Sequence, residues 1–149
     1  MAGPRELQWL QVDLEMQPWP ELLERRMFMV FGDEESLKLT YGATSYKPAV
    51  NFERNYLVAI HQGLCPTGGY RVNIHNVLLR DGEIRVVVSF KTPGPGEFVT
   101  LAMTTPRAFV LVPKIESRPD PRFTFYLPTG EKLAEEKPRY GQKTPERRV

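Results

Sequence analysis

The chain has few of the residues that carry out covalent or metal chemistry. Among 149 residues there is one cysteine, Cys65, and there are two histidines, His61 and His75. A single thiol excludes an internal disulfide framework and any multi-cysteine metal site. The two imidazoles fall on different expected strands with no carboxylate at ligand spacing, so no metal site is expected. Long apolar runs are also missing. Nothing approaches the roughly 18 residues that would span a bilayer, and the opening MAGPRELQWLQVDLEMQPWP is broken by charge and proline before it reaches signal-peptide length. The expectation is a soluble, cytoplasmic protein with no membrane partner. Charge of one sign is scarce as well. The net charge is +2, and its small positive excess lies after residue 113. There Lys137, Arg139, Lys143, Arg147 and Arg148 are diluted by Glu135, Glu136 and Glu146. With no paired aromatics on any expected strand, that balance does not make a nucleic-acid surface.

Proline and glycine are plentiful, fourteen and eleven, so many turns and few long helices are expected. Tyr70, Val72 and Ile74 alternate with Arg71, Asn73 and His75, the period of a half-buried strand. Asp81-Gly82 between alternating runs predicts a type I′ hairpin, because both central residues of that turn need positive φ. The return strand places Ile84, Val86, Val88 and Phe90 on one face. Residues 91–97 hold two prolines and two glycines and read as a loop. Val99, Leu101 and Met103 then alternate with Phe98, Thr100 and Ala102, which predicts a third strand. Residues 108–113 predict a fourth, buried on both faces.

Residues 7–14, 27–31, 56–60 and 123–127 supply further strands. Short helices are expected over 20–26 and 33–42, the second with Asp33 as N-cap and Gly42 as stop. The whole is an all-β fold, mainly antiparallel: a β-sandwich or partly open barrel of six to eight strands with one or two short helices. Residues 1–130 form one β-rich domain. Residues 131–149, rich in charge with some proline, read as a solvated tail.

No catalytic constellation emerges on this scaffold. Cys65 precedes Pro66 with no helix N-terminus beside it to lower its pKa, and only His61 or His75 is available as a base. The loop Pro66-Thr67-Gly68-Gly69-Tyr70 lacks the Lys-Ser/Thr ending of a phosphate loop and opens a strand where such a loop opens a helix. Pro93-Gly94-Pro95-Gly96 fails on the same ground. Neither an enzyme activity nor a cofactor is expected. What the residues do offer is three stiff turns, at 65–70, 92–97 and 104–107. Gathered at one end of the sheet, they would make a rim whose conformational entropy is already low, which favours binding another macromolecule. The competing reading is that these prolines and glycines only make tight turns. The candidate binding residues are Pro66, Thr67, Gly68, Gly69, Tyr70, Pro93, Gly94, Pro95, Gly96, Thr105 and Pro106.

The loop from Gly63 through Pro66-Thr67-Gly68-Gly69-Tyr70 to Ile74, then Pro93-Gly94-Pro95-Gly96, Met103-Thr104-Thr105-Pro106 and residues 110–114, resembles the PrcB C-terminal domain family. In that family a Gly-x-x-Pro-Thr-Gly-Gly-Tyr loop, a Pro-Gly segment and a Thr-x-Pro segment come in this order. The similarity covers residues 50–114, with Asn51 where an acid is commoner. The family takes its name from a small subunit of a secreted bacterial protease complex, which helps assemble or stabilise the protease and is not catalytic. The resemblance therefore implies an accessory module whose partner is a protein, a peptidase among the candidates.

The order of Pro66-Thr67-Gly68-Gly69-Tyr70, Pro93-Gly94-Pro95-Gly96 and Thr105-Pro106-Arg107 is also similar to the three loops of chagasin-type inhibitors of cysteine proteases. Those loops line one end of an immunoglobulin-like sandwich. Cys65 stands where they have Asn, and Arg107 rather than an aromatic residue follows Pro106. Residues and resemblances together predict a non-catalytic protein-interaction module. The alternative is a homo-oligomeric structural protein without enzymatic activity, self-associating through an exposed strand edge such as 123–127.

Overall fold

The computed structural model describes residues 4–15, 24–42, 45–47, 49–115 and 120–141. They build ten strands and one helix in a mainly β, sandwich-like arrangement. The first sheet has the order β1 (Arg5–Glu6), β6 (Arg71–Arg80), β7 (Glu83–Lys91), β9 (Arg122–Tyr126), β10 (Lys132–Glu136). The second has the order β3 (Met27–Phe31), β5 (Asn55–His61), β8 (Arg107–Pro113), β2 (Leu10–Glu15), β4 (Ser45–Lys47).

The central strands of the second sheet are apolar at successive positions because both faces of that sheet are covered. Tyr56, Val58 and Ile60 of β5, with Val110 and Val112 of β8, meet Ile84, Val86, Val88, Phe123 and Phe125 of the first sheet. Their sequence neighbours Leu57, Ala59, Phe109 and Leu111 point the opposite way, onto Leu37 and Tyr41 of α1 (Glu34–Tyr41). Alternation with period two thus divides one continuous apolar run between two cores. The two-sided burial expected of 108–113 is seen and extends to β5. The helix begins where Asp33 accepts a hydrogen bond from the Ser36 N–H at 2.9 Å, and it stops at Gly42, whose φ is 80°.

In the β6–β7 hairpin Asp81 and Gly82 have φ of 48° and 76°, the positive pair that the turn requires. β6 also holds a feature that simple alternation hides. Its register shifts between Ile74 and Asn76, a bulge that lets Val72 and Ile74 share the core side with Val77 and Leu79 although their parity differs.

Other expectations are corrected. Residues 98–103 do not form a strand. They lie past the ends of both sheets, where an isolated bridge between Cys65 and Thr104 is the nearest ladder. Residues 131–141 are not a solvated tail. β10 pairs with β9, Arg139 exchanges backbone bonds with Val30 and Gly32, and the Gly141 N–H donates to Asp33. Low apolar content suffices there because β10 is an edge strand that touches the core only through Leu133 and Ala134.

The strand at 123–127 is not an exposed edge either, since β9 lies between β7 and β10. The β7–β9 pair is parallel, while the other named strand pairs are antiparallel, because the chain visits the second sheet as β8 between them. The stretch 7–14 is not one strand: it follows β1 on the first sheet, Leu7 and Trp9 turn into the core, and β2 joins the second sheet from Leu10 onward. The count exceeds six to eight because β1, β4 and β10 are too short or too polar to show a period. The helix expected over 20–26 lies largely outside the described residues, and 24–26 are not helical. Residues 142–149 lie outside them as well. No described helix is long and apolar enough to cross a membrane.

Candidate functional site

The chain crosses from the second sheet to the first between β5 and β6, and back between β7 and β8. Both crossings, residues 62–70 and 92–106, lie at one end of the sandwich, because His61 pairs with Arg107 and Arg71 with Lys91. The two segments hold each other. Cys65 and Thr104 exchange backbone bonds of 2.8 and 2.9 Å, the Gly68 N–H donates to the Thr100 carbonyl at 3.0 Å, and the Thr104 hydroxyl donates to the Thr67 carbonyl at 2.7 Å. Gly69, at φ 90°, is pressed so closely on Val99 and Pro93 that a Cβ would lie 2.6 Å from the Val99 side chain. At the base, the Gln62 N–H donates to the Pro106 carbonyl.

Of the sequence-predicted residues, Thr67, Gly68, Gly69 and Pro93 therefore come together, and Tyr70 and Pro106 flank them. Pro66 is exposed at the surface of the loop. Gly94, Pro95 and Gly96 form a separate, exposed turn, closed by bonds between Gly94 and Glu97 in both directions and by Lys91 at 3.2 Å from Glu97. Those contacts hold the Glu97 carboxyl below its ordinary range, the Gly94 N–H first and Lys91 second. Thr105 anchors the Arg107 guanidinium through its hydroxyl at 3.0 Å.

The residues that the sequence pattern misplaced are the ones this end displays. Phe98 is 101% exposed, Leu101 89% and Met103 65%, and Leu64 adds 45% on the neighbouring segment. These large apolar side chains stand in water on a segment whose backbone is bonded to the 65–70 loop. The signal that could have found them is the spacing. A hairpin loop needs two to five residues, and the segment between β7 and β8 is far longer, so it had to be an excursion.

Beneath the loops the chemistry is quiet. The Cys65 thiol is buried against the Gly63 carbonyl at 3.7 Å, and burial raises its pKa while Arg26 opposes the shift. His61 is 1% exposed, and its Nε2 lies 2.5 Å from the Tyr41 hydroxyl. Burial, helped by the Arg107 charge, lowers the imidazole pKa to about 4 and keeps it neutral. Burial raises the Tyr41 phenol far above its usual value. The Phe109 ring packs edge-on against both rings. No hydrogen bond links Cys65 to His61 among the described residues, and the His61 Nδ1 is buried without a hydrogen-bond partner there. Among the described residues no group of three or more His, Cys, Asp or Glu side chains is placed to hold a metal ion.

No curated protein and no solved structure matches the chain. A family model described as PrcB C-terminal matches residues 56–113. The matched stretch runs from β5 to β8 and contains both inter-sheet crossings, so the loops at this end lie inside it. Over that stretch, from β5 to β8, the chain is similar to the PrcB C-terminal family.

Proposed function

We propose that the protein is a non-catalytic interaction module that binds another protein through the loop end of the sandwich, as an accessory, stabilising or inhibitor-like partner. A peptidase is the partner class that the family resemblance favours. One observation carries the reading: Phe98, Leu101 and Met103 stand in solvent on a segment whose backbone is tied to the 65–70 loop. Ordering a loose loop on binding costs about 0.5–1.5 kcal/mol for each immobilised side chain, and a loop already tied down avoids much of that cost. Apolar side chains displayed this way gain by burial against a partner, about 25 cal/mol for each Å² removed from water.

The test is retention of a partner from an extract of the source cells on immobilised protein, native against a Phe98→Ser, Leu101→Ser double variant. The variant should melt as the native protein does, since neither side chain contributes to the core, and should lose the retained protein. Equal retention by the two proteins, or none by either, overturns the reading.

A further inference from the structure

The backbone of β6 is covered unevenly. On one side it pairs with β7 along its whole length, from Arg71↔Lys91 to Arg80↔Glu83. On the other side β1 reaches only Leu78 and Leu79, with one further bond from the Leu7 N–H to the Val77 carbonyl. Among the described residues no strand takes up residues 71–76 on that side. Their outward N–H and C=O groups form an open ladder edge, which is a template for another strand.

This edge forms one wall of a cleft of about 430 Å³, lined by residues 70–74 on one side and by Gln11, Pro106 and Arg107 on the other. No lining residue is acidic, and two are arginines on facing walls. Neither arginine makes a salt bridge among the described residues. Arg107 is turned to the Thr105 carbonyl and hydroxyl. The Glu97 carboxylate, which feels the Arg71 charge, is itself engaged by Lys91 and Gly94.

We propose that this edge captures an extended segment of a protein partner by strand addition, and that a carboxylate side chain of the segment is held between Arg71 and Arg107. The proposal rests on the interaction-module reading and adds the chemistry of the partner. Main-chain bonds to residues 71–76 supply attachment without regard to sequence. The guanidinium pair supplies selection, because its planar donors match a carboxylate in two-point contact. The bulge after Ile74 limits the ladder, so the captured segment is short, ending where β1 begins.

The experiment is selection of random heptapeptides, displayed in multiple copies, on the immobilised full chain, followed by titration of the enriched peptide, synthesised with blocked ends, against ¹⁵N-labelled protein. Enriched sequences should carry Asp or Glu at a fixed position among β-branched neighbours, and the amide shifts should concentrate in residues 71–76. Arg71→Ala and Arg107→Ala should each weaken binding at least tenfold with unchanged melting, and replacing the peptide's acid by its amide should do the same. Enrichment without an acidic position, shifts confined to 98–103, or affinity indifferent to both arginines overturns the proposal. Binding lost in Phe98→Ser, Leu101→Ser but kept in both arginine variants would reject the strand-addition site and leave the interaction-module reading standing.

Discussion

At the end of the sandwich where Asn55 pairs with Pro113, polar groups satisfy one another. The Lys114 ammonium donates to the carbonyls of Gly32 and Phe52 at 2.8 and 2.7 Å and lies 5.2 Å from the centre of the Tyr56 ring. The Tyr56 and Tyr140 hydroxyls donate to the two oxygens of Asp120, both at 2.8 Å, and burial followed by that bond raises both phenols. Asp33 caps the helix and accepts from Gly141 as well. At the opposite end the loops bond to each other mainly through backbone, while Arg71, Arg107, Phe98, Leu101 and Met103 face water. One end spends its side chains on the fold and the other withholds them. On the binding role proposed above, stability and recognition are separable by position, and substitutions at each end should move one property and leave the other.

The largest effect is expected at the closed end. Lys114→Met keeps most of the aliphatic stem but leaves two carbonyls without their charged donor. Bonds to charged groups are worth about 1.5–3 kcal/mol each, so a loss of about 4 kcal/mol is expected in urea unfolding. Partner retention at a temperature where the variant stays folded should not change. A loss below 1 kcal/mol would mean that water replaces the ammonium, and the end would not be closed in the sense used here.

The next effect lies under the loops and is conditional on pH. His61 is neutral in the folded state, with its pKa lowered by burial to about 4 from the ordinary imidazole value of 6.5. Between those values the unfolded chain binds a proton that the folded chain refuses. Stability from this group is therefore full above pH 6.5, falls as the pH drops, and levels off below about 4. The span is worth about 3 kcal/mol. His61→Gln keeps a polar partner for Tyr41 and should flatten the profile across that window. Parallel profiles for native protein and His61→Gln would show that the imidazole titrates freely and that the loop end is wetter than its packing implies.

The two ends were not equally legible in the sequence. Elements set by local chemistry could be read directly: the Asp81-Gly82 turn, the Asp33 cap, the inward row of Ile84, Val86 and Val88, and the double burial of 108–113. Elements set by distant partners could not. Residues 98–103 carry a flawless strand alternation, yet they sit where no strand is available to pair, so period alone misassigned them. Residues 131–141 carry almost no apolar signal and are held by backbone bonds to β3 and β9, which leave no trace in composition. The meeting of Gly68 and Gly69 with Thr100 and Val99 was suggested by loop chemistry, but contact across the two crossings depends on topology. The cleft beside β6 was invisible for a similar reason. It exists because β1 stops at Glu6, and no residue of β6 announces that its neighbour is short.

The smallest effect isolates what the packing of the loops adds to backbone geometry. Gly69 and Gly82 both have positive φ, 90° and 76°, so alanine pays a similar conformational penalty of about 1 kcal/mol at either site. Their surroundings differ. A Cβ on Gly82 meets nothing within 4 Å, whereas one on Gly69 would lie 2.6 Å from Val99 and 3.0 Å from Pro93. Gly82→Ala should cost about 1 kcal/mol, and Gly69→Ala about 2 kcal/mol, the excess measuring the contact between the crossings. The excess should also appear as faster hydrogen exchange at the Gly68 and Thr104 amides, whose acceptors lie across the gap that the new methyl group widens. Equal costs and unchanged exchange would mean that the 92–106 segment moves aside freely. The apolar side chains would then ride on a loose loop, and the preorganisation on which the binding role depends would be absent.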